Sequence, residues 1–264
     1  MKLYGQWALI TGASSGIGEE FARRLAAEKY NLVLTGRREE RLKNLAAELV
    51  SSNGCEIKII PGDLTDDRTI DRIKEECAHL EIGLLINNAG FGSTGEFREC
   101  DSEWERKMVE LNCVVPAILT HYFVPGMIER KRGGIIFLGS VVAFQPTPLM
   151  TTYSATKAFN LLMGEGLWYE LKKYSIDVLS LNPGGTNTEF QRIAASETGP
   201  AVRTPKQVVE TALKALGKKP SVIDGPINKF MGVGGRFIPR RLLINIAGIM
   251  AEKLYTAKKN KGIK

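Results

Sequence analysis

Histidine and cysteine are scarce in this chain of 264 residues, and each scarcity removes a class of chemistry. His79 and His121 are the only imidazoles, both inside helical patterns, so a Ser-His-Asp triad has no well-placed general base. The four cysteines, Cys55, Cys77, Cys100 and Cys113, form no C-x-x-C and join no histidine. No zinc or dithiol motif can be drawn from them, and no metal is expected. The chain has no internal repeat, no low-complexity linker and no Pro-rich hinge. Residues 1–6 lack the apolar core of a signal peptide, so the expected location is cytoplasmic with reduced thiols. Acidic charge is short in one region only. Residues 203–264 carry 14 Lys and Arg against 3 Asp and Glu, whereas the rest carries 22 against 26. The closing basic residues, including Lys258, Lys259 and Lys261, have no aromatics among them, so nucleic acid is not an expected partner.

What is present is alternation. Apolar strand-like runs at residues 7–10, 31–35, 56–60, 83–86, 134–138 and 177–181 are separated by helical patterns at 19–29, 38–51, 66–79, 101–120 and 151–173. Strands and helices alternating at this length predict an α/β fold: a single doubly wound domain with a parallel sheet covered on both faces. Ligands of such sheets sit at the carboxyl ends of the strands.

Thr11-Gly12-Ala13-Ser14-Ser15-Gly16-Ile17-Gly18 lies at such an end, between an apolar run and a helix. Glycines let the backbone approach a pyrophosphate, and a helix start offers free N–H groups and the positive end of its dipole. Gly12-Ala13-Ser14-Ser15-Gly16 also fits the G-x-S-x-G nucleophile elbow, but the hydrolase it suggests needs a later acid and then a histidine. Further along, Tyr153 and Lys157 stand four apart, on one face of a helix. A cation beside a phenol favours the phenolate and lowers a pKa that is otherwise near ~10. That pair is suited to moving a proton to or from an oxygen.

Together these residues resemble the short-chain dehydrogenase/reductase family, and the resemblance runs to about residue 222. It implies a Rossmann domain of about seven strands over residues 1–225, with 226–264 as a C-terminal extension on or near the substrate pocket. It also implies a cofactor loop at Gly12, Ser14, Ser15, Gly16, Ile17 and Gly18, adenine contacts at Asp63 and Leu64, and a strand-end segment Asn87-Asn88-Ala89-Gly90 near the adenosine ribose. Pro183, Gly184, Thr186 and Thr188 match the segment that holds the nicotinamide carboxamide. Asn112, Ser140, Tyr153 and Lys157 match the family's catalytic four. By that analogy Tyr153 is the acid/base and Ser140 positions the carbonyl oxygen. Lys157 tunes Tyr153 and binds the nicotinamide ribose, and the Asn112 main-chain oxygen holds a relay water. Pro116, four residues on, cannot donate to that oxygen and predicts a local break in the helix.

The second strand ends Leu34-Thr35-Gly36-Arg37-Arg38, with guanidinium groups where an NAD-preferring chain places an acid. Arginine suits a 2′-phosphate through paired N–H donors. The expected cofactor is therefore NADP(H), with Arg37 as main contact and Arg38 as second, although Glu39 and Glu40 stand close by.

The substrate is expected to be a small carbonyl compound with apolar surroundings: an oxoacyl thioester, a steroid-like ketone or a xenobiotic. Val142, Phe144, Leu149, Met150, Phe190, Ile193 and Ala194 are the candidate pocket wall. The alternative from another class is a non-catalytic NADP(H)-sensing protein on the same fold. Family analogy suggests a homodimer or homotetramer through the helices near Asp101 and Thr151. Residues 239–250 read as a proline-started apolar helix with basic flanks, too short and interrupted to span a membrane. A flap over the pocket, an oligomer contact and an interfacial helix on anionic lipid all fit it.

Overall fold

The computed structural model describes residues 4–190 and 202–260. Strands β1 (Trp7–Thr11), β2 (Asn31–Gly36), β3 (Ile57–Pro61), β4 (Ile82–Asn87), β5 (Gly133–Leu138), β6 (Ile176–Asn182) and β7 (Ser221–Ile223) form a seven-stranded sheet. Every pair is parallel and the order is β3-β2-β1-β4-β5-β6-β7. The chain order reverses between β1 and β4, and the crevice above that point is where such sheets take ligands.

Successive residues of each strand face opposite layers. Ala8 and Ile10 of β1, Leu32 and Leu34 of β2, and Leu84 and Ile86 of β4 pack with α1 (Gly16–Ala27), α2 (Glu39–Asn53) and α7 (Pro205–Ala215). Leu9, Val33 and Leu85 face the other layer, made by α3 (Asp67–Cys77), α5 (Val115–Glu129) and α6 (Thr151–Lys172). This two-sided burial is why the central strands read as unbroken apolar runs.

Helix ends follow local chemistry. Asp66 and Asp101 cap the helices after them through Arg68 N (3.0 Å) and Trp104 N (2.7 Å). Thr204 and Gln207 form a reciprocal capping box ahead of Pro205, the first residue of α7. Two expectations are corrected. Helix α1 begins at Gly16 rather than residue 19, so the glycine loop runs directly into its first turn. The helix expected over 101–120 is α4 (Ser102–Val109), a π-helical turn at Glu110–Val114, and α5. Pro116 supplies no N–H for the Asn112 carbonyl, and the extra residue of the wider turn is accommodated there. Ser102–Glu129 is the one helical stretch among the described residues with the length and apolarity of a membrane span, but Val115, Leu119, Phe123 and Met127 are buried in the core.

Beyond β7 the chain forms two helices where one was expected: α8 (Pro226–Gly234) and α9 (Arg240–Asn260). Leu243 and Ala247 of α9 are buried, and Met231, Ala247, Met250 and Tyr255 border the cleft described next.

Candidate active site

The glycine loop closes tightly on β4. Gly12 holds φ +67°, and a Cβ on Gly18 would lie 2.4 Å from the Gly12 oxygen and 2.5 Å from Asn88 Nδ2. Only glycine fits at Gly18, because the helix start must touch the strand end. Asn88 Nδ2 donates to the Thr11 and Gly12 oxygens (2.8 and 3.2 Å), and Thr11 Oγ1 accepts from Asn88 N and Ala89 N (both 2.9 Å). Residues 88–90 therefore brace the loop. The N-cap of α1, Ser15, makes no side-chain cap, so the first-turn amides face the cleft without one. That arrangement fits a pyrophosphate.

The cleft is about 760 Å³. The residues expected near the cofactor border it except Gly18, which packs behind Gly12, and Asn87, whose Nδ2 donates to Thr120 Oγ1 instead (3.0 Å). Asn112 likewise sits behind the wall. Arg37 and Arg38 both border the cleft at one end, beside Asp63 and Leu64. Arg38 donates to Ser14 Oγ (3.2 Å), Ser15 Oγ and Glu189 Oε2 (2.5 Å). Arg41 reaches the same carboxylate at 2.9 and 3.0 Å. Hydrogen bonds from Arg38, then from Arg41, pull the Glu189 carboxyl down to about 2. Glu39 and Glu40 turn away and pair with Lys43 (3.1 and 2.9 Å). Glu189, rather than Glu39 or Glu40, is thus the acid that engages the arginines at this end of the cleft.

At the opposite end, α6 carries Tyr153 and Lys157 inward, 6 % and 3 % exposed, opposite Ser140 at the end of β5. Lys157 Nζ donates to the Leu138 oxygen (2.8 Å) and lies 5.7 Å from the Tyr153 ring centre. The Ser140 side chain acts on the Tyr153 hydroxyl and favours its charged form. The expected lowering of the Tyr153 pKa by Lys157 is corrected: burial pushes the phenol up, and the influence of Ser140 is what opposes it. Burial also pushes the Lys157 ammonium down to about 8. Desolvation outweighs the i,i+4 pairing.

Asn112 is 1 % exposed and holds two elements together. Its Oδ1 accepts from Phe91 N (3.1 Å), and its Nδ2 donates to the Phe91 oxygen and Thr156 Oγ1 (both 2.9 Å). The main-chain oxygen freed by Pro116 accepts from Asn160 Nδ2 (2.8 Å), a partner that sequence reasoning missed. Asn160 lies three residues beyond Lys157, on the same buried face of α6, and that spacing was the available signal.

The mouth of the cleft is apolar. Phe190 tilts over Tyr153 with ring centres 5.6 Å apart, and Phe91 packs on Trp104 at 4.5 Å. Val142, Leu149 and Met150 border the opening as expected. Phe144 does not; it lies against Gly232 of α8. Ile193 and Ala194 lie outside the described residues. Phe91, Trp104, Met231 and Met250 were missed because apolar residues on helices and loops give no sequence sign of facing a ligand. On the floor, Gly184 lies so close to Asn228 that a Cβ would meet Asn228 Oδ1 at 2.3 Å.

The family model for short chain dehydrogenases matches residues 6–198. A very-long-chain 3-oxoacyl-CoA reductase of Phaeosphaeria nodorum is 36 % identical over 220 residues, 81 % of this chain and 64 % of that reductase. The chain thus spans a little under two thirds of that relative's length. A solved 7beta-hydroxysteroid dehydrogenase has a TM-score of 0.86 at 29 % identity, covering 94 % of this chain and 98 % of that one. A short-chain dehydrogenase from Sphingobium yanoikuyae in complex with NADPH has a TM-score of 0.79 at 33 % identity, with coverages of 87 % and 92 %.

Proposed function

This chain belongs to the short-chain dehydrogenase/reductase family, and on that premise we propose that it is an NADP(H)-dependent reductase of an apolar carbonyl compound with Tyr153 as proton donor. The observation that carries the reading is the buried Ser140–Tyr153–Lys157 group at the inner end of a cleft whose other end holds the glycine loop and two arginines. Bound there, the reduced nicotinamide would supply hydride to the carbonyl carbon. Ser140 and Tyr153 both border the cleft, where each would hydrogen-bond the substrate oxygen while the phenol hands over its proton. Such positioned donors are worth roughly 10²–10³ in rate. Lys157 keeps an ammonium beside the phenol and can share the ribose hydroxyls. Asn112, gripped by Phe91, Thr156 and Asn160, holds the loop and α6 in register, and its main-chain oxygen keeps a second lone pair for a relay water. The apolar mouth fits oxoacyl or steroid-like ketones better than sugars. Relatives that act on such compounds support that class. Val109 and Val114 near α4, with Phe159 and Leu162 on α6, are exposed and suit a homodimer through those helices.

The test is NADPH consumption by the purified protein against oxoacyl thioesters, steroid ketones and aromatic aldehydes. Tight NADPH binding without turnover on any of them would favour the sensor instead.

Two further outcomes are expected. Arg37→Asp should cut the ratio of NADPH to NADH affinity roughly 10- to 100-fold, the worth of charge-assisted hydrogen bonds to a phosphate. Cofactor titration by fluorescence measures it, and an unchanged ratio removes Arg37 from the 2′-phosphate site. Reduction should also fall as pH rises through about 8, where Lys157 loses its charge. Burial pushes the Tyr153 phenol above its ordinary value, so it stays protonated across that range. A kcat profile that stays flat to about pH 9.5 would show that the Lys157 charge is dispensable.

A further inference from the structure

Large apolar side chains point outward along the last two helices in a way that folding alone does not explain. In α8, Ile227, Phe230 and Met231 fall at i, i+3 and i+4, and Phe230 is 80 % exposed. Phe237, in the connection to α9, is 86 % exposed. In α9 the inward positions Leu243 and Ala247 are buried, yet Leu242, Ile246, Ile249 and Met250 form a second apolar stripe facing out. Exposed apolar patches of this extent mark an interaction surface.

Charge and position identify the partner. From residue 225 onward the sequence has nine Lys and Arg and one acid, Glu252. Lys229, Arg240, Arg241 and Lys253 are exposed beside the apolar stripes. A second copy meeting this face would bring the same cations against themselves, which an isologous contact disfavours. An anionic bilayer matches both features, because its interior accepts the phenylalanines and isoleucines while its headgroups attract the lysines and arginines. The patch is also continuous with the cleft. Met231 and Met250 belong to both, and Tyr255 and Ala247 line the wall behind them.

We infer that α8, the 235–239 connection and α9 form a membrane-docking face that seats the mouth of the cleft on an anionic lipid surface. A substrate dissolved in the bilayer then reaches Tyr153 without crossing water. That delivery rests on the reductase proposed above; docking itself is read without cofactor or substrate, so the two fail separately.

The experiment is flotation of the whole protein with vesicles of phosphatidylcholine alone or with about 30 mol% phosphatidylserine, at low and raised salt. The wild type should partition ~10-fold or more in favour of the anionic vesicles and be released by salt. The variant Phe230→Ser/Phe237→Ser/Ile249→Ser, which alters exposed positions outside the cleft wall, should lose binding while keeping wild-type melting temperature and turnover of a water-soluble ketone. No flotation with anionic vesicles at low salt overturns the inference. So does equal flotation of wild type and variant. A wild-type dimer in light scattering that the variant converts to monomer, with no vesicle binding, assigns the face to a second copy instead.

Discussion

Replacing Tyr153 by phenylalanine is expected to lower carbonyl reduction by between ~10² and ~10⁴, the usual worth of a positioned general acid, with NADPH affinity and melting temperature nearly unchanged. The substitution deletes one oxygen from a side chain that is otherwise a packed aromatic ring. That ring lies against Gly92, where a Cβ would come within 3.0 Å of Tyr153 Cδ2, and against Phe190. Both contacts survive in phenylalanine. Ser140, the side chain that acts on the hydroxyl, keeps its own bonds to the Pro183 oxygen and Val142 N. No buried donor is therefore stranded, and the fold loses little. The glycine loop and arginines that would hold the dinucleotide lie at the other end of the cleft, so binding and turnover separate. Stopped-flow turnover beside fluorescence titration of NADPH distinguishes the outcomes. Loss of both together points to misfolding, and turnover equal to wild type removes Tyr153 from the chemistry.

What the sequence made legible is mostly local. The strand–glycine–helix unit at residues 7–27 needs only neighbouring residues to state its geometry, and Tyr153 and Lys157 need only helical spacing. The consequences of burial were not legible. Spacing places the Lys157 ammonium near the phenol, but the desolvation that moves both groups the other way comes from the end of β5 and the loop at Gly90 and Gly92 closing over them. Long reach hides other partners. Glu189 meets Arg38 across 151 positions, and Asn160 meets the Asn112 carbonyl across 48, so neither pair has a local signature. The proline rule located the break at Asn112 but not the amide that would fill it. In the extension, periodicity marks α9 as doubly apolar and says nothing of which stripe faces inward.

Asp224→Ala is expected to destabilise the protein by about 3 kcal/mol, toward the low end of the cost of breaking a buried ion pair. Asp224 is fully buried just beyond β7 and receives Arg203 Nε and Nη2 at 3.0 and 3.2 Å and Thr211 Oγ1 at 2.6 Å. The low end applies because Arg203 keeps 28 % of its side chain exposed and can recover some hydration. For a chain of this size that is a fall in Tm of roughly 6–12 °C, read directly by calorimetry. The loss should also reach the site. Arg203 N donates to the Gly185 oxygen, and the Arg203 oxygen accepts from Asn187 N (both 2.9 Å), so this arginine anchors the strand-like segment that carries Thr186 and Thr188. Asn228 Nδ2 donates to the Asp224 oxygen (2.8 Å) while its side chain backs Gly184. The Asp224 carboxylate thus ties the sheet end to Arg203 and Thr211, while its main-chain oxygen, kept in the alanine variant, ties it to Asn228 at the start of α8. An apolar replacement of both partners, Arg203→Met with Asp224→Leu, should regain much of the Tm, since no charge is then left unpaired. If the single variant melts within about 1 °C of wild type, the pair contributes nothing beyond what solvent already supplies.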